Sequence, residues 1–128
     1  MQRRFRLLPG AVEVALENGC APADIVPVLA DAASVARKLH LQALLVVSGP
    51  DDPATAEAVS AALERIQSSG ASPLRIAFVA CSLPQYAVYH FAESYARRFG
   101  ILAKVLVSLR DAKDWLGVRE VSRSGDTR

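Results

Sequence analysis

Long apolar runs are missing from this chain of 128 residues. None approaches the roughly 20 residues that a membrane-spanning helix needs. The first residues lead into a strand-like pattern and not into the apolar stretch of a signal peptide. Apolar residues nevertheless make up 52% of the chain and charged residues 22%, which excludes a disordered or fibrous protein. The length suits one domain with a single core. We therefore expect a small soluble cytoplasmic protein.

Cysteine and histidine are scarce, and neither is arranged for metal binding. Cys20 and Cys81 show no CxxC spacing, and His40 and His90 are isolated from other ligand types. Disulfides are rare in the cytoplasm, so we expect two free thiols. Paired carboxylates and a nucleophile–base–acid set at usable spacing are also missing, so the sequence indicates neither a metal, a cofactor nor a catalytic set.

The net charge of +2 is small, and the basic excess lies at the two ends. Residues 1–10 carry three arginines and no acid, and residues 118–128 carry three arginines against two acids. A nucleic-acid-binding domain usually concentrates its basic residues on one folded face. We therefore expect no nucleic-acid partner, and at most weak contact with an anionic membrane surface.

The spacing of apolar residues predicts the element order ββαβαβαβα. A hairpin around Pro9-Gly10 is expected first, and its second strand alternates as a half-exposed antiparallel strand does. Residues 44–47 are apolar on both faces, which is typical of a central strand, whereas Lys104 indicates a strand near the sheet edge. The predicted strands are 5–8, 11–16, 44–47, 74–80 and 102–107, and the predicted helices are 24–40, 53–68, 84–99 and a short one before Gly117.

Each predicted helix has expected signals for its start, its end or its buried side. Asp24 and Asp52 are expected to cap the first two helices, with Pro27 in a first turn and Pro53 at a first helical position. Gly100 is expected to end the third helix. The inner face of the second helix is predicted to include Thr55, Val59, Ala62, Leu63 and Ile66, and that of the third Ala87, Val88, Phe91, Ala92, Tyr95 and Phe99.

These elements predict an α/β fold with a mixed, mainly parallel sheet of four to five strands, an N-terminal antiparallel hairpin and about four helices. Helices that connect parallel strands make right-handed crossovers and cover the sheet. We expect one domain over residues 1–117, followed by a polar tail at 118–128.

The strand at 74–79, the Phe91-Ala92 pair in a helix, the strand at 103–106 and the closing segment at 111–116 resemble the SpoIIAA-like proteins. These form a bacterial branch of the STAS (anti-sigma-factor antagonist) and SEC14-like group, and the front half of the chain matches them in element pattern. The resemblance implies a non-enzymatic regulatory or ligand-binding module. It would act through a protein partner or an apolar, lipid-like small molecule.

The loop after residue 47 departs from that family. STAS phospho-switches place a Ser or Thr in an Asp-Ser-x-Gly-Leu-like setting, which this loop lacks, and Asp51 and Asp52 would repel an added phosphate. Ser48-Gly49 follows a strand, but no G-x-G-x-x-G and no Walker lysine accompany it, so a nucleotide site is not indicated.

Ligands of open α/β sheets gather at the carboxyl ends of parallel strands, where the loops after two strands are expected to meet. Two alternatives remain open. Cys81, just ahead of a helix start, has a thiolate-favouring position in a small α/β or thiol-dependent enzyme, although His90 is roughly 14 Å along the helix. The second alternative is a purely structural domain that pairs into a homodimer. The predicted binding residues are Ser48, Gly49, Asp51, Asp52, Cys81, Ser82 and Tyr86.

Overall fold

The computed structural model describes residues 5–16, 21–49, 54–68 and 74–118. Within these ranges, no helix is both long and apolar enough to cross a membrane. Nine elements follow one another in the predicted order. They are β1 (Phe5–Leu8), β2 (Ala11–Leu16), α1 (Pro22–Lys38), β3 (Ala43–Ser48), α2 (Ala56–Ser68), β4 (Leu74–Val79), α3 (Leu83–Arg97), β5 (Ile101–Leu106) and α4 (Leu109–Leu116).

The five strands form one sheet in the order β1-β2-β3-β4-β5. β1 and β2 pair antiparallel and every other pair is parallel, which confirms the predicted mixed fold. β3 lies at the centre and β5 at an edge, as predicted. β2 differs from the prediction in its second partner, because it is an interior strand that also pairs in parallel with β3. The predicted alternation is confirmed, since Val12, Val14 and Leu16 are fully buried and the intervening residues are only partly buried.

The two faces of the sheet are covered unequally. Right-handed crossovers between strands that are adjacent in both chain and sheet place α1, α2 and α3 on the same side. Their buried residues pack with Val14, Val46 and Phe78, and we call this side the three-helix face. Only α4 packs on the other side within the described residues, over Leu45 and Ala77, and we call this the α4 face.

The end of the described chain belongs to the α4 face. Leu116 and Val118 are buried there, and Trp115 packs against the same cluster. Gly117 ends α4 with a left-handed φ of 78°, which is the conformation that favours glycine. The rest of the predicted tail, 119–128, lies outside the described residues.

The first two helices begin differently from the prediction. Ala21, not Asp24, is the N-cap of α1, and the Asp24 carboxylate accepts the Ala21 N–H at 2.8 Å from the third helical position. Pro27 consequently lies inside the helix and not in its first turn. Thr55, expected on the inner face of α2, is exposed and its hydroxyl accepts the Ala58 N–H at 3.1 Å. The predicted cap and first residue of α2, Asp52 and Pro53, lie outside the described residues.

α3 is rotated relative to the predicted buried stripe. Its buried residues are Gln85, Tyr89, Ala92 and Ala96, whereas Ala87 and Phe91 are exposed. The reason is that the Tyr89 ring stacks on Phe78 of β4, with ring centroids 4.5 Å apart, and so turns this side of the helix to the sheet. Val88, Tyr95 and Phe99 are only half-buried at the flank. Gly100 adopts a φ of 74° after the helix, as its predicted role at the helix end requires.

Candidate functional site

An open cleft of about 400 Å³ lies at the carboxyl ends of the central strands. Ser48 ends β3 on one side of it, and the segment that leads from β4 into α3 forms the other side. Val107, just after β5, closes the third side. The lining residues are Ser48, Val79, Ala80, Cys81, Ser82, Leu83, Tyr86 and Val107.

The structure brings together four of the seven residues predicted for a binding site. Ser48, Cys81, Ser82 and Tyr86 all line the cleft, because β3 and β4 are adjacent parallel strands that end at the same edge. Gly49 follows Ser48, and its N–H donates to Leu16 O at 3.0 Å, which ties the start of this loop to β2. Asp51 and Asp52 lie outside the described residues.

A buried hydrogen bond holds Ser48 in place. The Ser48 and Tyr89 hydroxyl oxygens are 3.0 Å apart, and both side chains are almost completely removed from solvent. Tyr89 is itself held by its stacking on Phe78. Since a serine hydroxyl has one proton and two lone pairs, Ser48 keeps further hydrogen-bonding capacity at the cleft wall.

Gln85 connects Gly49, just after β3, with Cys81, just before α3. Its Nε2 donates to Gly49 O at 2.8 Å, and its Oε1 accepts the Cys81 N–H at 2.6 Å. The side chain is only 6% exposed, so these bonds satisfy an amide that would be costly to bury alone. Gln85 therefore fixes the spacing between the end of β3 and the start of α3.

Ser82 is the N-cap of α3, and its hydroxyl accepts the Gln85 N–H at 3.3 Å. The order Ser82-Leu83-Pro84-Gln85 has the Ser-x-x-Gln spacing of a capping box. That spacing is the one sequence signal for Gln85, although its side chain bonds to Cys81 and Gly49 and not to the cap residue. Nothing in the sequence indicates the Tyr89–Ser48 pair, since 41 positions separate the two residues.

The cleft wall carries no Asp, Glu, Lys, Arg or His among the described residues. Cys81 is an exposed free thiol in this wall. His90 lies along the outer side of α3, where its ring stacks on Tyr86 with centroids 6.1 Å apart. Within the described ranges, no three His, Cys, Asp or Glu side chains are grouped to hold a metal ion. Cys20 lies outside those ranges.

Apolar side chains surround the mouth of the cleft and extend into solvent. Leu83 is 84% exposed and Val107 is 70% exposed, and the Tyr86 ring lies beside them at 38%. Isolated exposed apolar residues are ordinary on protein surfaces, but a group around a concave site is typical of a binding surface. The arrangement suits an apolar molecule that takes hydrogen bonds from a few hydroxyl groups.

No protein-family model matches the chain, and neither a curated protein nor a solved structure matches it. The resemblance to the SpoIIAA-like proteins therefore stays a prediction from the sequence.

Proposed function

We propose that this protein is a non-enzymatic binding module that holds a small, uncharged, apolar molecule in the cleft at the ends of β3 and β4. The observation that carries the proposal is the composition of the cleft wall. Five of its eight residues are apolar or aromatic, namely Val79, Ala80, Leu83, Tyr86 and Val107. The side chains of the other three offer only hydroxyl and thiol groups.

The size and polarity of the cleft support this class of ligand. A volume of about 400 Å³ falls in the lower part of the range that small-molecule sites usually have. A charged ligand would lose its hydration at a wall whose described residues offer no opposite charge, and that loss is expensive. An apolar ligand would instead remove Leu83 and Val107 from water, which is favourable for both partners.

The polar groups of the wall would orient such a ligand. The Ser48 hydroxyl is fixed by Tyr89 and offers a directed hydrogen bond from a residue that is almost completely buried. Gln85 holds Gly49 and Cys81 in one arrangement, so little order has to be created on that side of the cleft on binding. A module of this kind, acting in the cytoplasm, also fits the regulatory role that the SpoIIAA-like resemblance implies.

The proposal is tested by titrating the protein with the neutral fluorescent probe N-phenyl-1-naphthylamine. Leu83→Asp adds a carboxylate to the rim of the cleft, at the first residue of α3, where an acid suits the helix dipole and leaves the fold intact. Because the bound probe would have to cover that carboxylate, we expect its affinity to fall by about tenfold or more.

Leu109→Asp is the matched control. Leu109 is also exposed and is also the first residue of a helix that a serine caps, but it does not line the cleft. This variant should bind the probe as the parent protein does. Equal affinity in all three proteins would contradict the proposal. If the parent binds no neutral probe but Leu83→Asp loses a protein partner, the rim is a protein-docking surface and not a ligand site.

A further inference from the structure

The outward edge of β5 is a second feature of interest, separate from the cleft. Ala80 N–H donates to Leu106 O at 2.9 Å, so the backbone groups of Leu106 face β4. Backbone groups alternate in direction along a strand that pairs on one side. Those of Ile101, Ala103 and Val105 therefore face away from the sheet, where no other described strand pairs with them.

Such an edge favours pairing with another chain. β5 has the sequence Ile-Leu-Ala-Lys-Val-Leu, with one charge and with neither proline nor glycine, and Leu102 is 54% exposed. Short segments of high β-propensity and low charge at a sheet edge are the usual starting points for strand addition and aggregation.

A carboxylate from α3 occupies this edge. Glu93 Oε2 accepts the outward N–H of Val105 at 2.7 Å. The carboxylate removes one backbone donor from the edge, and its negative charge opposes the carbonyl oxygens of any strand that approaches. Lys104 adds a second charge to the strand itself, and charged side chains on edge strands discourage pairing.

We propose that Glu93 closes the β5 edge to a second copy of this chain. An antiparallel β5–β5 pair centred on Ala103 would place Val105 of each copy opposite Ile101 of the other. All outward residues would then face one another, and the Val105 N–H groups would donate at both ends of the ladder. Since Glu93 holds these donors, it removes one of the two hydrogen bonds of the Val105–Ile101 pair at each end of the ladder.

The test compares Glu93→Ala with the parent protein by size-exclusion chromatography with light scattering over a range of concentrations. We expect a species of twice the parent mass, which becomes more abundant with concentration. Glu57→Ala is the matched control, because it removes the same charge from an exposed helical position away from β5. It should keep the parent mass at every concentration.

A double variant checks that the new contact uses β5. Leu102→Lys adds a second positive charge to the strand and removes an exposed apolar side chain. In the Glu93→Ala background it should restore the parent mass. If Glu93→Ala keeps the parent mass, or if the double variant still doubles in mass, the proposal is wrong.

Hydrogen exchange in the parent protein tests the same idea without any variant. The Val105 amide should exchange roughly tenfold or more slowly than the Ala103 amide, because both face outward but only Val105 donates to a carboxylate. Equal exchange of the two amides would overturn the role of Glu93 even if Glu93→Ala failed to fold.

Discussion

The two faces of the sheet achieve their packing by different means. The three-helix face is held by apolar burial, with long helices laid over Val14, Val46 and Phe78. The α4 face has a single helix of eight residues to cover it within the described chain. On the α4 face, where one short helix buries little apolar area, directed polar contacts also help to hold the helix on the sheet.

Arg75 provides these contacts on the α4 face. It lies near the start of β4, and its two terminal nitrogens donate to Trp115 O at 3.3 Å and to Leu116 O at 2.8 Å. The guanidinium carbon is also 5.9 Å from the centre of the Trp115 ring. Arg75 thus satisfies carbonyl groups at the end of α4 and places a positive charge at the negative end of the helix dipole.

The largest effect is expected from two neighbouring residues that point to opposite faces. Val46→Asp places an unpaired carboxylate under three helices at a fully buried position and should cost about 4 kcal/mol or more. Val47 is half-buried on the α4 face, so Val47→Asp should lower the free energy of unfolding by only about 1 to 2 kcal/mol. Urea unfolding of both variants measures the difference. Equal costs would mean that the two faces contribute alike.

A smaller effect is expected on the α4 face from Arg75→Met. This variant keeps an apolar stem but loses the bonds to the end of α4, at a cost of about 1 kcal/mol. Trp115 is the only tryptophan in the chain, so its fluorescence reports on α4 directly. The signal should change before global unfolding in Arg75→Met, and less in Arg75→Lys, which keeps the charge. A single common transition in both variants would contradict this account.

The smallest effect concerns the outer flank of the three-helix face. Tyr95 donates a hydrogen bond to the Glu64 carboxylate, and this bond raises the pKa of Tyr95 above its ordinary value of 10.0. The folded state then holds the proton more tightly than the unfolded state does. The resulting stability is present below pH 10 and is lost as the pH rises through the raised pKa.

Tyr95→Phe removes this contribution. Its stability should therefore fall less steeply than that of the parent above pH 10, as measured by urea unfolding at a series of alkaline pH values. Tyr86→Phe is the matched control, because it removes a tyrosine hydroxyl from the same helix outside the Tyr95–Glu64 pair. If the stability of Tyr95→Phe falls with pH as steeply as that of the parent protein, the bond to Glu64 does not persist in solution.

Much of the fold could be predicted because it depends on local patterns. The apolar run before Ser48 indicates a central strand, Lys104 indicates an edge, and Gly117 marks the end of α4. The carboxyl ends of β3 and β4 were likewise predictable as neighbours, since parallel strands joined by helices end at one edge.

The orientation of α3 could not be predicted from periodicity. An apolar stripe through Phe91 and Tyr95 is the natural choice, yet the helix buries Gln85 and Tyr89. Both carry polar groups, and burial is tolerable only because their partners, Gly49 and Ser48, come from a strand end 36 and 41 positions away. Partners so distant in the sequence are known only from the folded structure, which is why Gln85 and Tyr89 were not predicted as residues that organise the cleft.

The strand order of the sheet has a consequence for the order of folding. Every strand after β1 pairs with the strand that precedes it in the chain, so its first partner has already been made when it is synthesised. α4 is the exception, because it covers Ala77 and Leu45 long after they are made. The apolar strip on this face of the sheet therefore stays without its covering helix until α4 has formed.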